Sequence, residues 1–348
     1  MVRETVNNPG DRWATPFTTQ ASCSMDEKKR TPDGGAANPA LHDSPWPPLW
    51  PAAMWNVSGL FVFDDLISDL IVNVKRAFGV SPPVRAVHGA PDVLWNGGRL
   101  SRAQPTSAQV DQVFDWYNQR GIGIFMTFTN HLLQEDHLAD RTCNHFLELL
   151  NSRTDLNGVV LSSDLLSDHV RRRYPDLQQT ASIVKVSVEG GRSDLEYYRR
   201  LADRFDRFVL HPDDNFNEEL VQSLDKSKIE LIVNENCVVN CATRARHYEL
   251  SSADHLNPGY DLQLQEESIQ FQEETCRALP MYKQLEAGVR NCNLSARELG
   301  RLYGLGFRSF KLQGRGDSSQ CMLYDLTRYL LEPEVAAPLI FKACSPEK

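Results

Sequence analysis

Val110-Asp111-Gln112-Val113-Phe114-Asp115-Trp116-Tyr117-Asn118-Gln119-Arg120-Gly121 leads without a break into Ile122-Gly123-Ile124-Phe125-Met126-Thr127-Phe128-Thr129. In the first part Val110, Val113, Phe114 and Tyr117 follow the i, i+3, i+4, i+7 spacing of one apolar helix face, and Gly121 stands where a helix commonly ends on a left-handed residue. In the second part nearly every position from 123 to 129 is apolar, which suits a strand buried on both faces. A helix that hands over to such a strand is half of a βαβ unit.

The same alternation recurs in both directions. Short apolar runs at 60–63, 84–88, 158–162, 183–188, 208–211, 229–234 and 309–312 predict further strands. Between them Cys143, Phe146, Leu147 and Leu150 repeat the helical spacing. The pairs Ser193/Glu196 and Ser295/Glu298 have the offset of a capping box at a helix start. Strands alternating with helices predict a parallel sheet covered on its outside. About eight strands over some 270 residues favour a closed (β/α)8 TIM-type barrel over an open doubly wound sheet. No Gly-x-Gly-x-x-Gly follows a strand to support the open alternative.

Residues 1–50 are expected to be a disordered Pro-rich tail, since a stretch so poor in aliphatic side chains cannot offset its ordering entropy. Trp46, Leu49 and Trp50 would pin its end to the barrel, which is expected over 51–332, with 333–348 as a C-terminal extension. One spacing breaks the rhythm: about 75 residues separate Asn234 from Phe310, far more than a βα unit needs. This cysteine-bearing insertion, 235–292, would sit on the C-terminal mouth, where barrel enzymes carry their active sites.

The chain has 348 residues, 41% hydrophobic and 24% charged, enough apolar matter for a large core. No apolar run reaches the roughly 18 residues of a membrane span. No apolar segment follows Arg3, Glu4 and Asn7, so a cytoplasmic protein is expected. The net charge of −9 argues against a broad nucleic-acid surface, which needs a basic face to neutralise phosphates. A small-molecule substrate fits better. In this setting the eight cysteines are expected as thiols or metal ligands, not as a disulfide framework.

The sharpest local signal is Val233-Asn234-Glu235-Asn236-Cys237-Val238-Val239-Asn240-Cys241-Ala242-Thr243-Arg244-Ala245-Arg246-His247-Tyr248. A strand delivers Cys237 to the mouth and Cys241 returns one turn later, with Cys276 and Cys292 further along the insertion. Three or four thiolates converging there suit an iron–sulfur cluster or a tetrahedral zinc. A set made only of thiols favours the cluster, whereas His247 as a ligand favours zinc. The plain alternative is that these are small buried hydrophobes, as free cysteines often are. Cys143 on its apolar helix stripe is read that way, and so is Cys321, ahead of Leu326, Tyr329 and Leu330.

The segment Asn234-Glu235-Asn236-Cys237 with Cys241, Arg244 and His247-Tyr248 resembles a segment of the collagenase-like "peptidase U" superfamily. Tyr303-Gly304-Leu305-Gly306-Phe307-Arg308-Ser309-Phe310-Lys311-Leu312-Gln313-Gly314-Arg315 resembles that family's closing strand, with its apolar-Lys-x-x-Gly-Arg motif. Trp95-Asn96-Gly97-Gly98-Arg99 is similar to it as well, and together these matches span most of 55–330. The resemblance implies a barrel with a 4Fe–4S cluster held by Cys237, Cys241 and Cys276, with Cys292 as the candidate fourth ligand. Without Cys292 one iron would stay open to substrate. It also implies relatives that hydroxylate without dioxygen, among them the ubiquinone-biosynthesis U and V proteins and certain RNA-base hydroxylases, while others carry a protease label. Two departures stand out: the first cysteine pair is tighter than in the characterised hydroxylases, and Gln313 stands where many members have Glu.

The expected function is therefore an iron–sulfur-dependent, oxygen-independent redox or hydroxylation step on a small molecule. The alternatives are a peptidase or other hydrolase using zinc, and a cluster-carrying subunit beside a homologous protein partner. For the hydrolase there is no His-Glu-x-x-His, no Gly-x-Ser-x-Gly and no Cys with a clear base. Arg244 and His247 could bind a carboxylate and move protons, and with Lys311 they are the candidate catalytic residues. Alternation puts Lys311 and Gln313 on one face of the last strand and Leu312 on the other. His88, Asn130 and His211 end predicted strands, the functional position in a barrel. His88, Asn130, Glu235, Tyr248 and Arg315 are the candidate substrate-binding residues. Arg171-Arg172-Arg173 is read as a solvated face.

Overall fold

Strand pairing in a computed structural model, which describes residues 49–98, 103–256, 290–314 and 318–333 with positions 266, 267, 270, 271, 288 and 336, runs once around a ring. The strands are β1 (Met54–Ser58), β2 (Val84–Gly89), β3 (Gly123–Phe128), β4 (Gly158–Leu161), β5 (Gln178–Ala181), β6 (Arg207–Val209), β7 (Ile229–Ile232) and β8 (Ser309–Leu312). Each pairs in parallel with the next, and β8 closes on β1 with Trp55 opposite Phe310 and Asn56 opposite Lys311. The helices are α1 (Asp64–Phe78), α2 (Ser107–Asn118), α3 (Arg141–Arg153), α4 (Asp164–Arg173), α5 (Ile183–Val188), α6 (Leu195–Arg204), α7 (Glu218–Ser223), α8 (Arg244–Leu256), α9 (Ala296–Gly304) and α10 (Ser319–Leu330). The fold is the expected (β/α)8 barrel. The expected tail up to position 48 and nearly all of the C-terminal extension lie outside the described residues, as does Trp46. Trp50 does pack on the barrel, its ring 5.6 Å from that of Tyr303.

The opening stretch folds as its spacing predicts. Thr106 caps α2 in a reciprocal box with Gln109, Val110, Phe114 and Tyr117 are buried, and Gly121 takes φ +70°. Ser295 and Glu298 cap α9 the same way. Two predicted strands are corrected. Residues 60–63 form the turn into α1, with Phe61 left-handed at φ +66°, and the first strand is Met54–Ser58. Residues 183–188 are helix α5, capped by Ser182, and the strand before it is the polar Gln178–Ala181. In each strand a polar side chain meets a polar group from another strand and interrupts the apolar pattern. Asn56 donates to Glu230 across the barrel, and Gln178 accepts from Arg85 at 3.0 Å. The cap of α6 is Asp194, not Ser193, whose hydroxyl donates to Asp214 at 2.8 Å. Cys321 is exposed, also contrary to expectation, while Cys143 is fully buried and burial pushes its thiol up.

The main core lies between strands and helices, and a small separate cluster of Ala86, Phe125 and Val160 fills the barrel itself. Gly158 makes room for it, since a Cβ there would stand 2.5 Å from Cε1 of Phe125. The interior also holds an ion pair: Lys311 meets Glu230 at 3.2 Å, both nearly buried. Leu312 points the other way into the main core, as strand alternation requires.

Candidate active site

The chain after β7 is tied to the chain after β8 before it reaches the cysteines. Asn234 donates to the Gln313 carbonyl at 2.7 Å and accepts from the Gln313 N–H at 2.9 Å. Cys237 to Val239 then runs antiparallel to 290–292: the Cys292 N–H donates to the Cys237 carbonyl at 2.9 Å, and Val238 bridges Asn291. Asn240 turns the chain in the left-handed region at φ +58°, which brings Cys241 back beside Cys237. Asn is one of the few residues other than Gly that takes this conformation cheaply.

The two thiols share a hydrogen bond. As acceptor from Cys237, Cys241 is lowered to about 5, against the opposing effect of burial and with help from Thr243 and Arg244. Cys237, as the donor and half-buried, is pushed well up. Of the two, Cys241 is thus the thiol that ionises first, with Cys237 as its donor.

Cys292 behaves differently. Its thiol is buried and donates to Asp213 Oδ1 at 3.0 Å. Asp213 also accepts from Arg192 Nη1 at 2.7 Å, the Asn240 N–H at 3.1 Å and Arg244 Nη2 at 3.3 Å. Burial pushes this carboxyl up, but the Cys292 thiol, Arg244 and Arg192 outweigh it and hold it below the ordinary range. His211 accepts the Asp213 N–H at 3.3 Å through Nδ1, and burial and Arg244 lower it to about 3, so it is neutral. Asp213 thus anchors the turn that pairs the cysteines, the third cysteine, and the first residue of α8.

Helix α8 leans over the mouth, held by Asn130, which donates to the Ser252 carbonyl at 2.9 Å. Beneath it lies a cavity of about 130 Å³ at the C-terminal ends of the strands. His88, Glu235, Cys237, Arg244, His247, Tyr248 and Lys311, all candidates from the sequence, line it. So do Ser58, Thr127, Thr129 and Ser182, which sequence reasoning passed over. Asn130 does not; its amide also reaches the carbonyls of Leu94 and Asn96, so it braces the mouth. Gly98 lines the cavity, and a Cβ on its neighbour Gly97 would stand 2.5 Å from the Thr129 carbonyl, which accounts for Gly97. Asp213 was missed, although the acidic pair Asp213-Asp214 directly follows His211 at a strand end.

Cys276 and Arg315 lie outside the described residues. Among the described residues no three His, Cys, Asp or Glu side chains are grouped so as to hold a metal ion. Cys237 and Cys241 suit a thiolate-binding metal group, being adjacent thiols at the mouth. Cys292 fits less well, because its thiol is committed to Asp213.

No family model matches the chain, and no curated protein matches it. Among solved structures it is similar to the U32 peptidase Mk0906, at 15% identity and a TM-score of 0.46, over 81% of this chain and 98% of that one. The barrel assignment rests on the strand pairing and not on this likeness.

Proposed function

We propose that the chain is an enzyme working in the barrel mouth on a small-molecule substrate. In this reading Cys237 and Cys241 are two ligands of an iron–sulfur cluster, and the reaction is an oxygen-independent redox or hydroxylation step. The observation that carries it is the turn at Asn240 that sets Cys241 back beside Cys237, next to a cavity lined by Cys237, Arg244, Lys311, His88 and Glu235. A bound cluster would supply electron transfer or Lewis acidity. Cys276 is the natural third ligand, and Cys292 would join only by giving up Asp213. The chain's own residues do the rest: Arg244 orients, His247 and Tyr248 cover the mouth from α8, and His88 faces the cavity.

The test is iron, sulfide and zinc content with an absorption spectrum, on protein purified without oxygen. About four irons and four sulfides per chain, with a band near 400 nm that bleaches on reduction, are expected of a 4Fe–4S centre. Cys237→Ala/Cys241→Ala should lose them, and Cys143→Ala should keep them. Full iron in the double variant overturns the ligand assignment. One zinc without sulfide would favour a hydrolase, and a homologous protein that co-purifies would favour a subunit role.

A further inference from the structure

We infer that the barrel mouth binds one anionic head group, a carboxylate or a phosphate, through Arg244, Lys311 and Ser58, on a substrate whose buried part is no larger than benzene. This deepens the reading above, since it takes the mouth cavity as the place where substrate sits.

Arg244 is only 5% exposed. Its Nη2 is spent on Asp213, the Val238 carbonyl and the Cys292 sulfur, but Nε and Nη1 have no hydrogen-bond partner. A guanidinium cannot shed its proton to escape this. A buried charged donor without an acceptor is costly, so such atoms mark a place where an acceptor belongs. Ser58, 1% exposed, has an unpartnered Oγ, and Lys311 spends one of its three donors on Glu230. All three residues line the same cavity.

Among the described residues, Arg244, Lys311 and Glu235 are the formally charged side chains lining the cavity, and Asp213 and Glu230 face the two cations from outside that lining. Glu235 is already engaged by the Cys237 N–H at 2.8 Å. The unspent atoms are donors, two of them on a cation, which selects an anionic oxygen over a neutral one. Val160, Val209 and Ile232 supply an apolar wall. The cavity, about 130 Å³, is close in size to engineered cavities of about 150 Å³ that take benzene.

Calorimetric titration of the full chain with butanoate, inorganic phosphate and the neutral isostere butanamide tests this. One anion should bind saturably at one site, with butanamide at least about tenfold weaker. The tighter of butanoate and phosphate identifies the head group. Arg244→Lys keeps the charge beside Asp213 but loses the planar fork and should weaken binding about tenfold; Ser58→Ala, a milder change, should weaken it about threefold. Saturation by neither anion, equal affinity for butanamide, or indifference to both variants overturns the inference. Iron content of the same preparation separates the two readings. Anion binding without iron leaves this site standing and defeats the cluster, and iron without anion binding does the reverse.

Discussion

Replacing Asp213 with Asn removes the one carboxylate that faces Arg244, Arg192 and the Cys292 thiol together. Asp213 and Arg244 side chains are each 5% exposed, so the arginine charge would be left buried without its counter-ion. Breaking a buried pair from one side costs about 3–5 kcal/mol. Arg192 adds little, since its side chain is 42% exposed and solvent screens it. The new amide would also turn donors towards donors. Urea unfolding at pH 7 under reducing conditions should show that loss. Because folding holds the Asp213 carboxyl below its ordinary value of 3.8, its stabilisation is present above the unfolded pKa and fades as pH falls through the folded one. The gap between wild type and variant should therefore narrow in acid. Asp213→Asn/Arg244→Met should cost clearly less than the sum of its single changes, because the stranded charge is gone. A loss below about 1 kcal/mol, or strict additivity in the double variant, would refute the idea that Asp213 serves as counter-ion to a buried arginine.

Two further outcomes are expected. In chelator-treated protein, alkylation by iodoacetamide should reach its plateau just above the Cys241 value of about 5, well below the ordinary thiol value of 9.0, and Cys241→Ser should abolish this fast phase; a midpoint near 9 would show that Cys237 does not share its proton. Asp64, raised by burial to about 6 while it accepts from the Phe61 N–H at 2.7 Å, favours the protonated fold. Its contribution is complete below its unfolded value and is lost as pH rises towards 6 and past it. Asp64→Asn should flatten the pH dependence of stability in that window, and an unchanged curve would exclude Asp64 as its source.

Much of the barrel was legible because its evidence is local. The stripe Val110, Phe114 and Tyr117 and the apolar run after Gly121 each report burial by period alone. The strands Met54–Ser58 and Gln178–Ala181 were not legible, because their polar side chains find partners across the barrel: Asn56 meets Glu230 from β7, and Gln178 meets Arg85 from β2. Those partners are distant in the chain, so no window shows them. The same holds at the mouth. Spacing put Cys237, Arg244, His247 and Tyr248 in one segment at a strand end, and all four reached the cavity.

By itself the sequence determined most of the elements, their alternation and the end of the barrel on which the thiols would gather. Hydrogen bonds within a helix, and burial along a strand, depend on neighbours a few residues away. Only the closed structure decided what the gathered groups do. It lowered the Cys241 thiol by folding the chain back on Cys237, and turned Cys292 to Asp213 of another strand end. It also left Arg244 with donors unspent in a cavity. The physical reason is that ring closure puts residues from unconnected loops within hydrogen-bonding distance. There, charge and burial, and not spacing, set each group's protonation and partners.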